Sequence, residues 1–368
     1  MPGLYFHIPF CQKKCGYCDF YSFAPTSAQM DAYKDALCRS VRDFAGDVTV
    51  PFDSVYFGGG TPSFFGKERL TTVLNAAKES FVLTDDAEIT VECNPGSASP
   101  ALFRALKKAG VNRVSLGVQS ALSHERALLG RVSNGETVKR AVASCKDAGI
   151  ENISLDLMLG IPAQTPETLD ESLAFLLSLS PQHISAYLLK IENGTPLAKQ
   201  ADTLPLPDED SVCDFYLHTA EVLEQNGLRQ YEISNFALPG FESRHNLHYW
   251  HTEEYIGLGP AAHSFWGGKR FYFPRDFAAF LRGDSPVPDG EGGGKDEFCM
   301  LRLRLTEGLN DRAFFARFGE HLPEGVFAKA KALEPHGLLT VKDGTIALTK
   351  QGFLVSNSVI GKLLDVRD

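Results

Sequence analysis

The sequence predicts an α/β fold: a mostly parallel sheet forming a whole or partial (β/α) barrel, followed by a smaller, mainly helical module. In the first two thirds of the 368 residues, short apolar runs rich in Val, Ile, Leu and Tyr alternate with amphipathic stretches. Buried parallel strands and their crossover helices have this pattern. Several amphipathic stretches end at a glycine, a common helix C-terminus. The alternation stops after Phe236, so we expect one domain over residues 1–235 and a second over 236–368.

The predicted strands occupy the apolar runs. They are Leu4–Ile8, Ser54–Phe57, Glu88–Glu92, Arg113–Val118, Ile153–Met158, His183–Leu188 and Gln230–Ile233. The predicted helices occupy the amphipathic stretches between them. They are Lys67–Phe81, Pro100–Ala109, Gly135–Ala148, Pro166–Ser178 and Asp208–Asn226. Alternation of this kind makes consecutive strands parallel. Polar and glycine residues follow several strands, at the edge where such folds bind ligands.

The last part of the chain has a different pattern. Pro286–Lys295 is a glycine-rich, acidic connector, Asp296–Ala332 is mainly helical, and Leu338–Val341 with Thr345–Leu348 forms a strand pair. The Asp-Gly step between these two strands is a hairpin signal. Helices with a small hairpin indicate a winged-helix-like module. Some such modules bind DNA, but the net charge of −10 gives no support for nucleic-acid binding.

Composition and the absence of targeting signals indicate a reducing, cytoplasmic protein. Met1–Phe10 contains no Lys or Arg, so it does not resemble a signal peptide. The best apolar run, Leu173–Leu179, is far too short to span a membrane. Eight cysteines are too few for a disulfide scaffold in a chain of this length. In a reducing compartment, clustered cysteines indicate metal or redox chemistry.

Three of the cysteines form a C-x3-C-x2-C motif. These are Cys11, Cys15 and Cys18, whereas the other five are scattered and are expected to be core residues. Three thiolates on one loop can hold three irons of a [4Fe–4S] cluster and leave the fourth iron open to a small molecule. Zinc is the alternative, with His7 as a fourth ligand. Structural zinc sites usually pair two C-x2-C units and only one is present, which favours the cluster.

The segment Tyr5–Phe20 resembles the radical S-adenosylmethionine (SAM) superfamily. The resemblance is narrower to the branch of oxygen-independent coproporphyrinogen III oxidase, and within it to the HemW family of heme chaperones. It continues in order along nearly the whole chain, at Gly58–Pro62, Glu92–Pro95, Gly117–Ser120, Leu129–Arg131, Asp156 and His245–Trp250. It implies a partial (β/α)6 barrel of TIM-barrel type that carries a [4Fe–4S] cluster and SAM.

The resemblance also implies roles for residues at the strand ends. Gly59, Gly60 and Thr61 would lie against the methionine part of SAM, since only glycine admits so close an approach of backbone. Glu92 would contact the methionine or ribose part, and Gln119 would contact the ribose. A tight turn or a helix cap would explain any one of these residues alone. Their succession along the strand ends favours ligand binding.

Four further residues complete the implied SAM and cluster site. Asp156 would accept hydrogen bonds from the ribose hydroxyls, and Arg131 would face the SAM carboxylate. Tyr5 and Tyr17 would pack beside the cluster and its ligand.

The segment His245–Trp250 resembles the signature of the heme-chaperone branch, which is associated with heme binding. Its residues His245, Asn246, Tyr249 and Trp250 would then contact heme. Imidazole is the usual axial ligand of heme iron, and Tyr and Trp offer flat apolar faces. We take His245 as the first choice of ligand. Two alternatives stay open: structural histidines, or a zinc site built from His245, His248, His251 and His263.

Two departures from the oxidase favour a heme carrier. The oxidase has a further cysteine where this chain has Phe20, and it has a long N-terminal extension that helps to cover its substrate. A carrier would donate heme to membrane-bound respiratory proteins through peripheral contact, and a homodimer is compatible with this role. The oxidase would instead cleave SAM to a 5′-deoxyadenosyl radical and decarboxylate the propionates of coproporphyrinogen III. A radical SAM enzyme with an unrelated substrate is a third alternative.

Overall fold

The centre of the molecule is a sheet of six parallel strands that neighbour one another in chain order. A computed structural model describes residues 1–46, 48–131 and 133–365. The central strands are β1 (Gly3–Ile8), β2 (Phe52–Gly59), β3 (Leu83–Cys93), β4 (Arg113–Gln119), β5 (Asn152–Leu159) and β6 (His183–Leu188). Every residue of β4 is buried, as expected for a strand covered on both faces.

Six further strands extend this sheet at its two edges. Beyond β6 lie β8 (Asn235–Ala237) and β7 (Arg229–Gln230), both antiparallel to their neighbours. Beyond β1 lie β9 (Tyr255–Leu258), which is parallel to β1, and then an antiparallel series. This series is β10 (His263–Trp266), β11 (Lys269–Tyr272) and β12 (Val287–Glu291). Among the described strands, β12 and β7 are the two unjoined ends, so the barrel is open.

Eight helices lie along the part of the chain that forms the parallel strands. They are α1 (Ser27–Ala45), α2 (Pro62–Phe65), α3 (Lys67–Ser80), α4 (Pro100–Ala109), α5 (Ser123–Leu128), α6 (Gly135–Asp147), α7 (Pro166–Ser178) and α8 (Glu209–Gln225). The side chains of Thr26, Ser99, Asn134, Thr165 and Asp208 each accept a backbone hydrogen bond at a helix N-terminus. These caps begin the helices where the sequence changes from loop to amphipathic pattern.

A short helix, α9 (Arg244–Trp250), packs against the inner side of the sheet. The ring of His245 stacks on Tyr56 of β2 and on Tyr5 of β1, with centroid separations of 5.0 and 6.2 Å. Gly3 leaves room for this contact, because a Cβ there would lie 2.9–3.0 Å from the rings of His248 and His245. The helix α10 (Phe277–Arg282) follows β11 and contacts α1.

The rest of the chain forms a smaller module of helices and a three-stranded antiparallel sheet. Its elements are α11 (Lys295–Arg302), β13 (Leu309–Asn310), α12 (Asp311–Phe318), α13 (Glu324–Leu333), β14 (Leu339–Lys342), β15 (Thr345–Leu348), α14 (Lys350–Leu354) and α15 (Ser356–Leu364). The strand order is β13-β15-β14, and β14 pairs with β15 in the predicted hairpin. This arrangement is winged-helix-like, as the sequence predicts.

The predicted fold class is confirmed, and three local predictions are wrong. The run Gln230–Ile233 is not a parallel strand: only Gln230 lies in the antiparallel β7. The connector Pro286–Lys295 contains the strand β12. The helix α1 lies in a stretch where no helix is predicted. The boundary at residue 235 stays a prediction, although the large sheet continues beyond it to Glu291, and residues 366–368 lie outside the described residues.

Candidate functional site

A cavity of about 610 Å³, which we call the cluster cavity, opens where the parallel strands end. The residues that line it include most of those predicted to hold the cluster and SAM. They are Cys11, Cys15, Tyr17, Cys18, Gly59, Gly60, Thr61, Glu92, Gln119, Arg131 and Asp156, with Asn246 of α9. Tyr5 lines an adjoining cleft that shares Gly59 and Glu92 with this cavity. Residues from five strand ends are thus brought to one place.

The three cysteines lie on the loop between β1 and α1. Backbone hydrogen bonds hold this loop: Cys11 N–H donates to the carbonyl of Phe23 at 3.0 Å, and Gly16 N–H donates to that of Leu129 at 3.1 Å. All three cysteines are free thiols. Cys11 Sγ lies 3.4 Å from Thr61 Oγ1. The loop therefore presents its thiols beside the Gly59–Thr61 turn.

The donor set fits an iron–sulfur cluster better than a single zinc ion. His7, the candidate fourth zinc ligand, has both ring nitrogens hydrogen-bonded, Nδ1 with Tyr5 Oη at 3.1 Å and Nε2 with the Tyr21 carbonyl at 2.9 Å. In the described part of the chain, no three His, Cys, Asp or Glu side chains converge on one ion-sized point. Cluster thiolates each bind a different iron and stand further apart than the ligands of one ion. Burial, with the neighbouring Cys15 and Cys11, raises the pKa of Cys18.

Gly59 and Gly60 have no room for a side chain. Gly59 has φ of +104°, and a Cβ there would lie 2.4 Å from the ring of His7. A Cβ on Gly60 would lie 2.7–2.8 Å from the backbone of Ile8 and Phe10. The same backbone fixes the turn, because Gly60 N–H donates to the Ile8 carbonyl at 2.8 Å. The end of β2 is thus pressed against the start of the cysteine loop.

Two half-buried carboxyl groups line the inner wall. Glu92 accepts a hydrogen bond from Tyr56 Oη at 2.8 Å and one from Gly59 N–H at 3.2 Å. Asp156 accepts one from Ser115 Oγ at 3.0 Å. Burial raises the pKa of Glu92 to about 7 and that of Asp156 to about 6. These groups can therefore ionise when a ligand supplies positive charge or hydroxyl donors.

Arg131 has a guanidinium nitrogen left for a ligand. It donates to the Gly117 carbonyl at 2.9 Å and to Tyr17 Oη at 3.0 Å. Its Nε is buried and, among the described residues, has no hydrogen-bond partner. An unpaired buried donor is costly, and a ligand carboxylate would pair with it only after a shift of the Arg131 side chain.

Gln119 ends β4 in a strained conformation. Its φ is +72°, and the register with β5 shifts at this point. Its Oε1 accepts a hydrogen bond from Tyr187 Oη at 2.8 Å. Non-glycine residues with positive φ are uncommon and collect at functional sites, because surrounding structure must hold them there.

His245, the first choice for heme ligation, offers no free ring nitrogen in this conformation. It is buried, its Nδ1 hydrogen-bonds with Ser54 Oγ at 2.9 Å, and its Nε2 hydrogen-bonds with Tyr249 Oη at 2.8 Å. Its backbone N–H donates to Glu88 at 3.1 Å. These contacts argue against His245 as the iron ligand in this conformation, because an iron ligand needs an open nitrogen. The motif gave no sign of them, since Ser54 lies far away in the sequence.

The remaining residues of α9 have different surroundings. Asn246 faces the cluster cavity, and Trp250 is half-buried. His248 lies between two carboxylates, with Nε2 at 2.7 Å from Asp53 and Nδ1 at 2.6 Å from Glu253. Burial opposes the charged imidazolium, but the two carboxylates outweigh it and raise the pKa of His248 to about 9. His248 is therefore a charged structural residue.

Comparison with known proteins places the chain in a family. It matches the model of the radical SAM superfamily over residues 5–176 and that of the HemN C-terminal domain over residues 296–355. It is 36% identical to a heme chaperone HemW of Mycobacterium tuberculosis, over 98% of this chain and 94% of that protein. It is 34% identical to that of Bacillus subtilis, over 99% of both chains.

The chain belongs to the HemW family. A third HemW, from Lactococcus lactis, is 38% identical over 98% of this chain and 96% of that protein. The fold also resembles the solved structure of coproporphyrinogen III oxidase (HemN) from Escherichia coli, with a TM-score of 0.85. That match covers 99% of this chain and 90% of the other at 22% identity, so it supports the HemW-family fold and no more.

The site of this HemW-family chain contains residues that the sequence analysis missed. Tyr56, Ser115 and Tyr187 each donate a hydrogen bond to a predicted site residue. The alternation of a strand could have indicated two of them, because residues two apart share a face. Tyr56 shares a face with Gly58, and Ser115 shares one with Gly117, and both glycines belong to motifs named above. Among the described helices, none is long and apolar enough to cross a membrane.

Proposed function

We propose that the chain is a heme chaperone, which binds heme and delivers it to respiratory haem proteins. The observation that carries this proposal is similarity at 34–38% identity, over nearly the full length, to proteins named heme chaperone HemW. We further propose that the cytoplasm is its location, that its acceptors are membrane-bound, that contact with them is peripheral, and that it can form a homodimer.

A [4Fe–4S] cluster and SAM are part of the proposal. Cys11, Cys15 and Cys18 would hold the cluster, and Gly59–Thr61 would pack against SAM, with Glu92 and Arg131 taking its charged groups. When bound, the cluster supplies an electron and an open iron for SAM. The support comes from the shared cavity, which these residues line together.

The segment His245–Trp250 contributes to heme binding indirectly in this proposal. Tyr5 and Tyr56 stack on His245, and Tyr56 also donates to Glu92. Asn246 of the same segment lines the cluster cavity. The segment would therefore form the floor of the cavity and hold its walls, with Tyr249 bracing His245 and Trp250 completing the packing.

A coproporphyrinogen III oxidase is the second candidate. The fold similarity to HemN and the same cavity favour it. Phe20 argues against it, because this position lacks the additional cysteine that the resemblance assigns to the oxidase.

An anaerobic assay tests the two functions together. The reconstituted protein receives SAM, a reductant and coproporphyrinogen III, and porphyrin products are measured, while a parallel sample is titrated with hemin. The chaperone proposal predicts saturable hemin binding and no catalytic turnover. Protoporphyrinogen formed over many turnovers, or hemin binding that does not saturate, would overturn it.

A further inference from the structure

A second cleft, of about 440 Å³, lies beside the cluster cavity. The two share Phe20, Gly59, Glu92 and Arg275 in their walls, so a ligand in the cleft lies at the mouth of the cluster cavity. The other side of the cleft is formed by β10 and β11, the antiparallel edge of the sheet. None of its residues on that side belongs to the motifs assigned to the cluster or SAM.

His263 is the available imidazole in this region. It begins β10, it is exposed, and its ring has no hydrogen-bond partner among the described residues. His7 and His245 have partners on both ring nitrogens, His248 lies between the carboxylates of Asp53 and Glu253, and His251 is paired with Glu307 at 3.0 Å. A neutral imidazole with an open nitrogen is the form that binds a metal.

The strand pairing orients the His263 ring. His263 lies opposite Tyr272 in the β10–β11 register, and the two rings stack with centroids 5.2 Å apart and an angle of 22° between their planes. The stacking limits rotation of the imidazole, and His263 and Tyr272 both line the cleft. An iron ligand on a rigid strand pair loses little conformational freedom on binding.

The surroundings of His263 suit a large, flat, apolar anion. Phe20 also lines the cleft and is 66% exposed, so its ring is free to contact a ligand. Arg275 lies at the same place, and its ion pair with Asp19 is long, at 3.3 Å, and exposed. Lys13 and Lys14 border the adjoining cavity. These cations match the two propionates of a porphyrin.

We propose that His263 is the axial ligand of the heme iron, with the porphyrin against Phe20 and its propionates toward Arg275. This inference rests on the proposed heme-binding function. A ring nitrogen of His263 donates its lone pair to iron(III), where it replaces a bound water, and no electron is transferred. The cleft holds the heme beside the cluster site, separate from the His245 position.

The test compares single variants of the reconstituted full-length protein. Wild type, His263→Ala, His245→Ala and the exposed control His336→Ala are titrated with hemin under anaerobic conditions, and difference spectra in the Soret region are recorded against protein without hemin. We expect His263→Ala to shift the Soret band and to weaken binding by about tenfold or more. His336→Ala should match wild type.

Added imidazole and a cysteine variant separate ligation from a structural effect. Imidazole should restore the wild-type spectrum of His263→Ala, and His263→Cys should give the spectrum of thiolate-ligated heme. The inference is overturned if wild type binds heme saturably but His263→Ala keeps its spectrum and affinity, or if only His245→Ala loses ligation. Failure of wild type itself to bind would instead overturn the proposed function.

Discussion

Burial determines the charge of the carboxyl groups in the cluster cavity. Desolvation raises the pKa of Glu92 to about 7 and that of Asp156 to about 6, although Tyr56, Gly59 and Ser115 donate hydrogen bonds that favour the ionised forms. A site prepared in this way is costly without its ligand. Binding of a group that carries positive charge or hydroxyl donors would remove the cost, so ligand affinity and protein stability are linked at these residues.

The variant Glu92→Gln tests this linkage through the pH dependence of the free energy of unfolding. The folded pKa of about 7 lies above the ordinary value of 4.5, so the folded state keeps a proton that the unfolded state releases. The contribution of this carboxyl group to the free energy of unfolding is fully present below about pH 4.5 and is lost as the pH rises through about 7. Wild type should lose up to about 3 kcal/mol more than Glu92→Gln between about pH 5 and pH 8. Urea unfolding measures this, and an equal loss in both proteins would contradict the assignment.

Cysteine substitutions test the cluster residue by residue. Cys11→Ser, Cys15→Ser and Cys18→Ser should each lower the iron and sulfide bound after reconstitution, because each removes a thiolate ligand. Cys213→Ser is the matched control, since this partly exposed thiol on α8 lies outside the cavity. Iron content that falls equally in the control would show a general effect of cysteine loss.

At the scale of elements, the end of β2 and the start of the cysteine loop form one unit. The backbone contacts of Gly60 with Ile8 and Phe10 leave no space between them. The proposed SAM binding and the placement of the thiols would therefore depend on the same close packing.

The substitution Gly60→Ala should disrupt the packing of the end of β2 against the start of the cysteine loop. Its Cβ would meet backbone atoms at 2.7–2.8 Å, so the turn must shift. We expect at least about a tenfold loss of SAM affinity, measured by equilibrium dialysis with the reconstituted protein. Gly325→Ala is the control, because a Cβ at that exposed position on α13 meets nothing within 4 Å and alanine favours a helix. Unchanged SAM affinity in Gly60→Ala would contradict the packing argument.

The helix α9 is fixed to the sheet by a partly buried ion cluster, in which His248 and Asp53 are buried and Glu253 is partly exposed. His248 has a pKa of about 9, above its ordinary value of 6.5, because Asp53 and Glu253 outweigh the effect of burial. The contribution of His248 to the free energy of unfolding is therefore fully present below about pH 6.5 and is lost as the pH rises through about 9.

His248→Gln should destabilise the protein at neutral pH by about 3 kcal/mol, because Asp53 is left without its partner. The difference from wild type should shrink at about pH 10, where wild-type His248 is itself neutral. Chemical unfolding at the two pH values measures this, with the exposed His336→Gln as control. A difference that is the same at both pH values would show that packing, and not charge, holds α9.

At the scale of the molecule, the sequence predicts the parallel sheet well and its antiparallel edge poorly. The six central strands are largely buried on both faces, and apolar residues recur along each of them between amphipathic helices. The strand β12 has the sequence Val-Pro-Asp-Gly-Glu and is exposed throughout, which leaves no apolar signal to recognise. The strands β7 and β8 are too short to show a period.

The same limit applies to the functional site. Motif order predicts the residues at the strand ends, because each one follows an apolar run. The partners of His245 lie far apart in the sequence, on β2 and α9, and only the fold brings Ser54 to its ring. In the sequence, His263 is only one of several histidines between residues 245 and 263. The structure distinguishes it, because the neighbouring histidines are paired with other side chains and His263 is not.

Transfer of heme to an acceptor tests the central proposal most directly. The reconstituted protein is loaded with hemin, separated from free hemin, and mixed with membranes that contain a haem-free respiratory cytochrome. Reduced-minus-oxidised spectra then follow the formation of the holo-cytochrome. The account predicts faster formation from the loaded protein than from the same amount of free hemin. Formation no faster than with free hemin, with the heme retained on the protein, would contradict it.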